Sequence, residues 1–179
     1  MTHRTLQRSA LVLALLFSGA AFADNLAPRD QAFLEQAAQN GHAEQSAGQL
    51  ALIKARNPQV QAFAQRMVDE HARLGNELET LAASKTYTPP EEASLVQKGK
   101  EALIGGLSDE SFDQRYVNQM GVEAHEANVR LFEEAAREAR DPDVKAFAVK
   151  HLPALRNHLQ AARELKATLA PAPATSGSR

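Results

Sequence analysis

The chain contains no cysteine. That absence excludes a disulfide staple, a thiolate nucleophile and any sulfur-rich zinc site, and leaves packing as the source of stability. Aromatic residues make up 5% of the 179 positions and methionine occurs three times, once as the initiator. Met67 and Met120 therefore read as core filler, not as copper ligands. Basic charge is not in excess either, with 20 Lys and Arg against 22 Asp and Glu. The basic face that phosphate binding requires is missing, so nucleic acid is not an expected partner. A Gly-rich phosphate loop and a Ser-His-Asp arrangement are also lacking. Long apolar runs are missing too: Ala10 to Phe17 falls far below the ~20 residues of a membrane span.

That short run has a second meaning. Arg4 and Arg8 precede it, and Ala21-Phe22-Ala23 follows as an A-x-A cleavage site before Asp24. Residues 1–23 are thus expected to be a cleaved secretory signal peptide, and with no cysteine after it a lipid-anchored lipoprotein is excluded. The expected location is the periplasm. Residues 24–169 suffice for one domain with its own core, and residues 170–179, "APAPATSGSR", are expected to form a disordered tail.

What the chain does contain is helix-forming sequence, rich in Ala, Leu, Gln, Glu, Lys and Arg, with apolar residues at three-four spacing. Asn57-Pro58 and Asp141-Pro142 each combine an N-cap residue with proline at the first helical position. They divide the chain into helices over roughly 29–55 and 57–84, then 109–139 and 141–169. The stretch between the pairs carries Pro89-Pro90 and Gly105-Gly106 as breakers around a short helix. "NPQVQAFAQR" at 57 aligns with "DPDVKAFAVK" at 141, and "DQAFLEQAAQNGHAE" at 30 with "DQRYVNQMGVEAHEA" at 113. One antiparallel helix pair cannot bury its own apolar face, so a duplicated pair predicts an all-α four-helix bundle. An open array of helical hairpins is the alternative. The middle connection can run the length of the bundle or return at the same end.

Each helix puts a polar residue on its buried face. In the first, Glu44 shares a side with Phe33, Ala37, Gly41, Gly48 and Ala51. His71 sits near the centre of the second helix's stripe of Val60, Phe63, Met67, Leu74 and Leu78. In the third helix His125 lies at the edge of the apolar arc, beside Val129 and Phe132. The fourth carries His151 and His158 among Val144, Phe147, Leu155 and Ala162. Buried ionisable groups are costly unless paired or ligated. Counting ~1.5 Å per residue from the two sharp turns puts Glu44, His71, His125 and His158 ~18–27 Å along a bundle ~40 Å long, all near its middle. His151 falls ~10 Å away from that level, and His42 points away from Glu44 toward solvent. Asp69 and Glu70 face solvent or the bundle's edge, and Tyr116 is a core aromatic near one end.

One carboxylate and three imidazoles at one level form a candidate ligand set for a single transition-metal ion: zinc, copper, iron, nickel or manganese. The same four residues also suit a metal-free polar network or a Glu–His acid/base pair. No catalytic motif accompanies them.

"DQAFLEQAAQNGHAEQSAGQLALIKA", "VQAFAQRMVDEH", "FDQRYVNQMGVEAHEANVRLF" and "VKAFAVKHLPALRNHL" together resemble the exported bacterial family classed as domain of unknown function 4142, from about Asp30 to Leu169. The resemblance implies a ferritin-like four-helix bundle built from two similar antiparallel helix pairs, export to the periplasm, and polar motif positions at Glu44, His71, His125 and His158. It implies no activity and no protein partner. A di-iron centre is not expected, because such sites use Glu-x-x-His and the residues three before the histidines are Val68, Val122 and Leu155.

Overall fold

The computed structural model describes residues 26–170. The segment read as a signal peptide and the tail beyond Ala170 lie outside them. Helices α1 (Pro28–Lys54) and α2 (Pro58–Ser84) form the first antiparallel pair. A connection carrying the short α3 (Leu95–Gly105) leads to a third long helical run. That run comprises α4 (Asp109–Tyr116), a π-helical stretch (Val117–Glu123) and α5 (Ala124–Glu138). The chain then turns into α6 (Pro142–Leu169). Among the described residues there is no β-strand, and the expected all-α four-helix bundle of two antiparallel pairs is what the chain forms.

The helix starts follow from local chemistry. The Asn57 side chain accepts from Gln59 N at 2.8 Å, and that of Asp141 accepts from Asp143 N and Val144 N at 2.9 and 3.1 Å. Proline follows each cap, where its missing N–H costs nothing. Ser94 and Gln97 close a capping box on α3.

Contacts at the two ends fix the topology. At one end Arg29 on α1 pairs with Glu134 and Glu138 on α5, and Lys85 after α2 pairs with Asp141 and Asp143 at the start of α6. At the other end Asp113 on α4 meets the α1–α2 turn, and Gln114 reaches the last turn of α6. The α2 helix and the third run therefore point the same way, and the middle connection crosses the full length of the bundle. It travels along α1, tied down by His42 to Pro90 O, Gln97 to Asn40, Glu101 to Ser46 and Lys54 to Gly105 O.

Two aromatic groups fill the ends of the core. Phe33, Phe132 and Phe147 pack with ring centroids 5.0–6.3 Å apart, and Phe112, Tyr116 and Phe63 do so at 6.0–6.4 Å. Between them the walls close tightly. A Cβ at Gly48 would lie 2.7 Å from Val68 Cγ2, and one at Gly121 would lie 3.1 Å from Ala162 Cβ. Glycine at 48 lets α1 and α2 approach; glycine at 121 lets the π-helical stretch approach α6.

The third helix departs from expectation in that stretch. A π turn takes in more residues than an α turn, so every side chain after it is shifted in phase. On a regular helix His125 belongs at the edge of the apolar arc; here it is fully buried.

Candidate metal centre

Three of the four candidate residues converge. His71 on α2, His125 in the first turn of α5 and His158 on α6 are all buried, with ring centroids 5.3–5.5 Å apart. Each presents a ring nitrogen within 4.8 Å of those of the others. The Nε2 atoms of His71 and His125 stand 3.4 Å apart. Two imidazole nitrogens bound to one tetrahedral ion at ~2.05 Å would be separated by ~3.3 Å. The spacing of this pair already fits.

Their hydrogen bonds set which nitrogens are free. Nδ1 of His125 lies 3.1 Å from Met120 O in the π-helical stretch. A carbonyl can only accept, so Nδ1 carries the hydrogen and Nε2 keeps its lone pair. Nε2 of His158 lies 2.5 Å from Glu70 Oε2 and donates to that carboxylate, which leaves Nδ1 bare. That Nδ1 is buried and has no hydrogen-bond partner among the described residues. A carboxylate or carbonyl on the far nitrogen is the support that orients metal-binding histidines, and both forms are present here.

Electrostatics favour neutral rings. Burial and the neighbouring His125 and His158 push His71 well below the usual imidazole range. Burial, with His158 nearby, lowers His125 to about 4. Burial also lowers His158, against the opposing pull of Glu70. Burial would raise Glu70, but the hydrogen bond from His158 and the charges of Arg66 and Arg73 hold it below the ordinary carboxylate range. Neutral imidazoles with bare nitrogens are the metal-binding form.

Glu44 is placed beside this set and not within it. It is buried, and its Oε1 lies 3.6 Å from His125 Nδ1. That is the ring nitrogen turned away from His71. The oxygen has no hydrogen-bond partner among the described residues, and burial raises the carboxyl well above its usual range. The same level in the bundle, which counting along the helices gives for Glu44, therefore did not mean the same point.

Glu70, to which the sequence pattern gives no part in the cluster, is the carboxylate that holds His158. It stands at the edge of α2, as its helical position predicts, and the edge is what lets it reach across to α6. The available signal was a carboxylate next to a core histidine, flanking the seam with another histidine-bearing helix. His151 lies outside the cluster, bonded to Glu77 at 2.8 Å and packed on Phe147. His42 is half-buried under the crossing connection, with Nε2 3.2 Å from Pro90 O, instead of facing open solvent.

The profile of a family described as "Domain of unknown function (DUF4142)" matches residues 16–165. Among solved structures, a DUF305 fragment from Deinococcus radiodurans superposes with a TM-score of 0.68 at 15% identity, over 80% of this chain and 97% of that one. A conserved hypothetical protein, rv2844, from Mycobacterium tuberculosis gives 0.63 at 16% identity, over 82% of this chain and 96% of that one. At such identities the likeness is one of fold alone. No curated protein matches the chain.

Proposed function

The chain belongs to the family Domain of unknown function (DUF4142), and from that premise we propose that it binds a single transition-metal ion through His71, His125 and His158. The observation that carries this reading is the convergence of three buried ring nitrogens within 4.8 Å, with the buried Glu44 carboxyl beside them. Three neutral imidazoles suit zinc, copper, iron, nickel or manganese and leave a fourth position for water or another ligand. Glu70 acts as the outer support of His158, and Glu44 lies outside the ligand set. The role is one of binding, such as holding or buffering the ion, not catalysis. The long crossing connection and the parallel α2 and third helix support a ferritin-like arrangement, used here for one ion in place of two.

We place this activity in the periplasm on the strength of the sequence: a basic start, a short apolar run and an A-x-A site before Asp24. N-terminal sequencing of protein from the periplasmic fraction tests this, with Asp24 as the expected first residue.

The deciding experiment is elemental analysis of untagged protein purified without chelator, beside His71→Ala. About one equivalent of one metal is expected in the native protein and none in the variant. Equal metal content in the two would overturn the assignment.

A metal-free structural module, with an envelope partner still to be found, is the second reading. It is favoured by three contacts that the ring nitrogens' neighbours already supply: His71 Nε2 with His125 Nε2, His125 Nδ1 with Met120 O, His158 Nε2 with Glu70. On that reading the melting temperature is indifferent to a chelator. On the metal reading it falls, since ligand bound to the native state stabilises it by mass action.

A further inference from the structure

The three histidines are closed off, with exposures of 0–3%, so an ion needs a way to reach them. A pocket of about 180 Å³ opens where α1, α3 and the π-helical stretch meet. Asn40, Gln97 and Asn128 line it and are linked in a row: Gln97 Nε2 donates to Asn40 Oδ1 at 2.7 Å, and Asn40 Nδ2 to Asn128 Oδ1 at 2.5 Å. Lys100 and Glu123 add opposite charges that offset each other. Glu44 also lines the pocket, 2% exposed, with its unpartnered Oε1 3.6 Å from His125 Nδ1. The His125 ring is thus the divider. One nitrogen faces Glu44 and the other faces His71.

We infer that this pocket is the route by which a hydrated divalent d-block cation reaches the three-histidine centre, with Glu44 as the ligand that takes it at the inner end. The inference rests on the metal-binding reading above. A buried carboxyl oxygen without a partner is costly, and a core that kept it for packing alone would gain from an apolar residue. The pocket has room for several waters at ~30 Å³ each, so the ion arrives still partly hydrated. Carboxylate and amide oxygens accept hydrogen bonds from an ion's bound waters, while imidazole nitrogens bind a d-block ion directly. Passage then requires the His125 ring to turn from Met120 O, its carbonyl partner in the π-helical stretch. The opposite approach, past Glu70, is less favourable to a cation because Arg66 and Arg73 stand beside that carboxylate.

The test is the rate of loading. Metal-free full-length protein is mixed with Co²⁺ in a stopped-flow absorbance instrument, and the visible bands of nitrogen-bound Co²⁺ are followed. The variants are Glu44→Gln, which removes the ionisable carboxyl and keeps the shape, and Ala127→Phe. Ala127 lines the pocket yet is exposed, so the larger ring obstructs the mouth and spares the core. Both variants are expected to load about tenfold more slowly and to reach the native plateau. If the native protein takes up Co²⁺ and Ala127→Phe loads at the same rate, the route is wrong, whatever Glu44→Gln does. A lowered plateau in Glu44→Gln with unchanged loading in Ala127→Phe would make Glu44 a resident ligand and overturn the inference. If the native protein takes up no Co²⁺, the metal reading itself falls and takes the route with it.

Discussion

Asp30 and Asp113 occupy equivalent places in the two halves of the bundle, and each holds the turn of the other half. Asp30, at the start of α1, accepts from Arg140 N at 3.1 Å and Asp141 N at 2.8 Å in the α5–α6 turn. Asp113, in α4, accepts from Arg56 N at 3.3 Å and Asn57 N at 2.8 Å in the α1–α2 turn. Both carboxylates are buried. The exchange ties the two helix pairs together at opposite ends and explains why the repeat begins at these aspartates.

Removing either carboxylate should therefore loosen the whole bundle, because part-buried backbone N–H groups in the opposite turn lose their acceptors. Asp113→Ala is expected to cost about 3 kcal/mol and Asp113→Asn, which keeps one acceptor oxygen, roughly half that. The check is urea unfolding of both variants, with a lowered midpoint at unchanged slope. A midpoint equal to that of the native protein would show that water replaces the carboxylate at no cost.

Much of this arrangement was legible in advance, for identifiable reasons. Asn57-Pro58 and Asp141-Pro142 are local signals, and they placed the helix ends to within about two residues. The height of the histidines followed from helical rise alone. Three features were not legible. The π-helical stretch of "VNQMGVE" keeps an ordinary helix-forming composition, so nothing in it announces a wider turn. The direction of the middle connection is decided by contacts such as Asp113 with Asn57, between residues far apart in sequence. Glu44 shows the limit of a height argument: it fixes distance along the axis but not which side of the His125 ring a carboxyl lies on.

The buried ionisable groups predict how stability of the metal-free protein depends on pH. The three histidines titrate below the ordinary 6.5, with His125 at about 4. Between those values the unfolded chain binds more protons than the native state, so their contribution rises with pH and is complete above 6.5. Glu44 acts in the opposite sense: raised above 4.5 in the folded state, it contributes most below that pH and weakens the fold as pH rises through its native value. The histidines outnumber it, so the melting temperature of metal-free protein should climb from pH 4 to pH 6.5. Glu44→Gln should steepen the climb and stabilise the metal-free protein at neutral pH by about 1 kcal/mol. Calorimetry across that range checks both. A flat profile, or a less stable Glu44→Gln, would mean that Glu44 has a favourable partner when charged.

Glu70 gives the sharpest separation between the two readings of the histidine cluster. It is about one-third exposed, so in a metal-free network its bond to His158 is a partly solvated contact of modest value. In a metal centre the same carboxylate orients His158, holds the hydrogen on Nε2 and strengthens Nδ1 as a donor. Losing such a support commonly costs ~10–100-fold in metal affinity. Glu70→Gln retains a hydrogen-bond acceptor and removes the charge. It should keep the metal stoichiometry, weaken affinity by about that factor and leave the melting temperature of the metal-free protein nearly unchanged. Competition against a chelator of known strength measures the affinity; thermal melts of the metal-free proteins measure the rest. Unchanged affinity with a clear loss of metal-free stability would assign the Glu70–His158 pair to the fold, with no part in holding an ion.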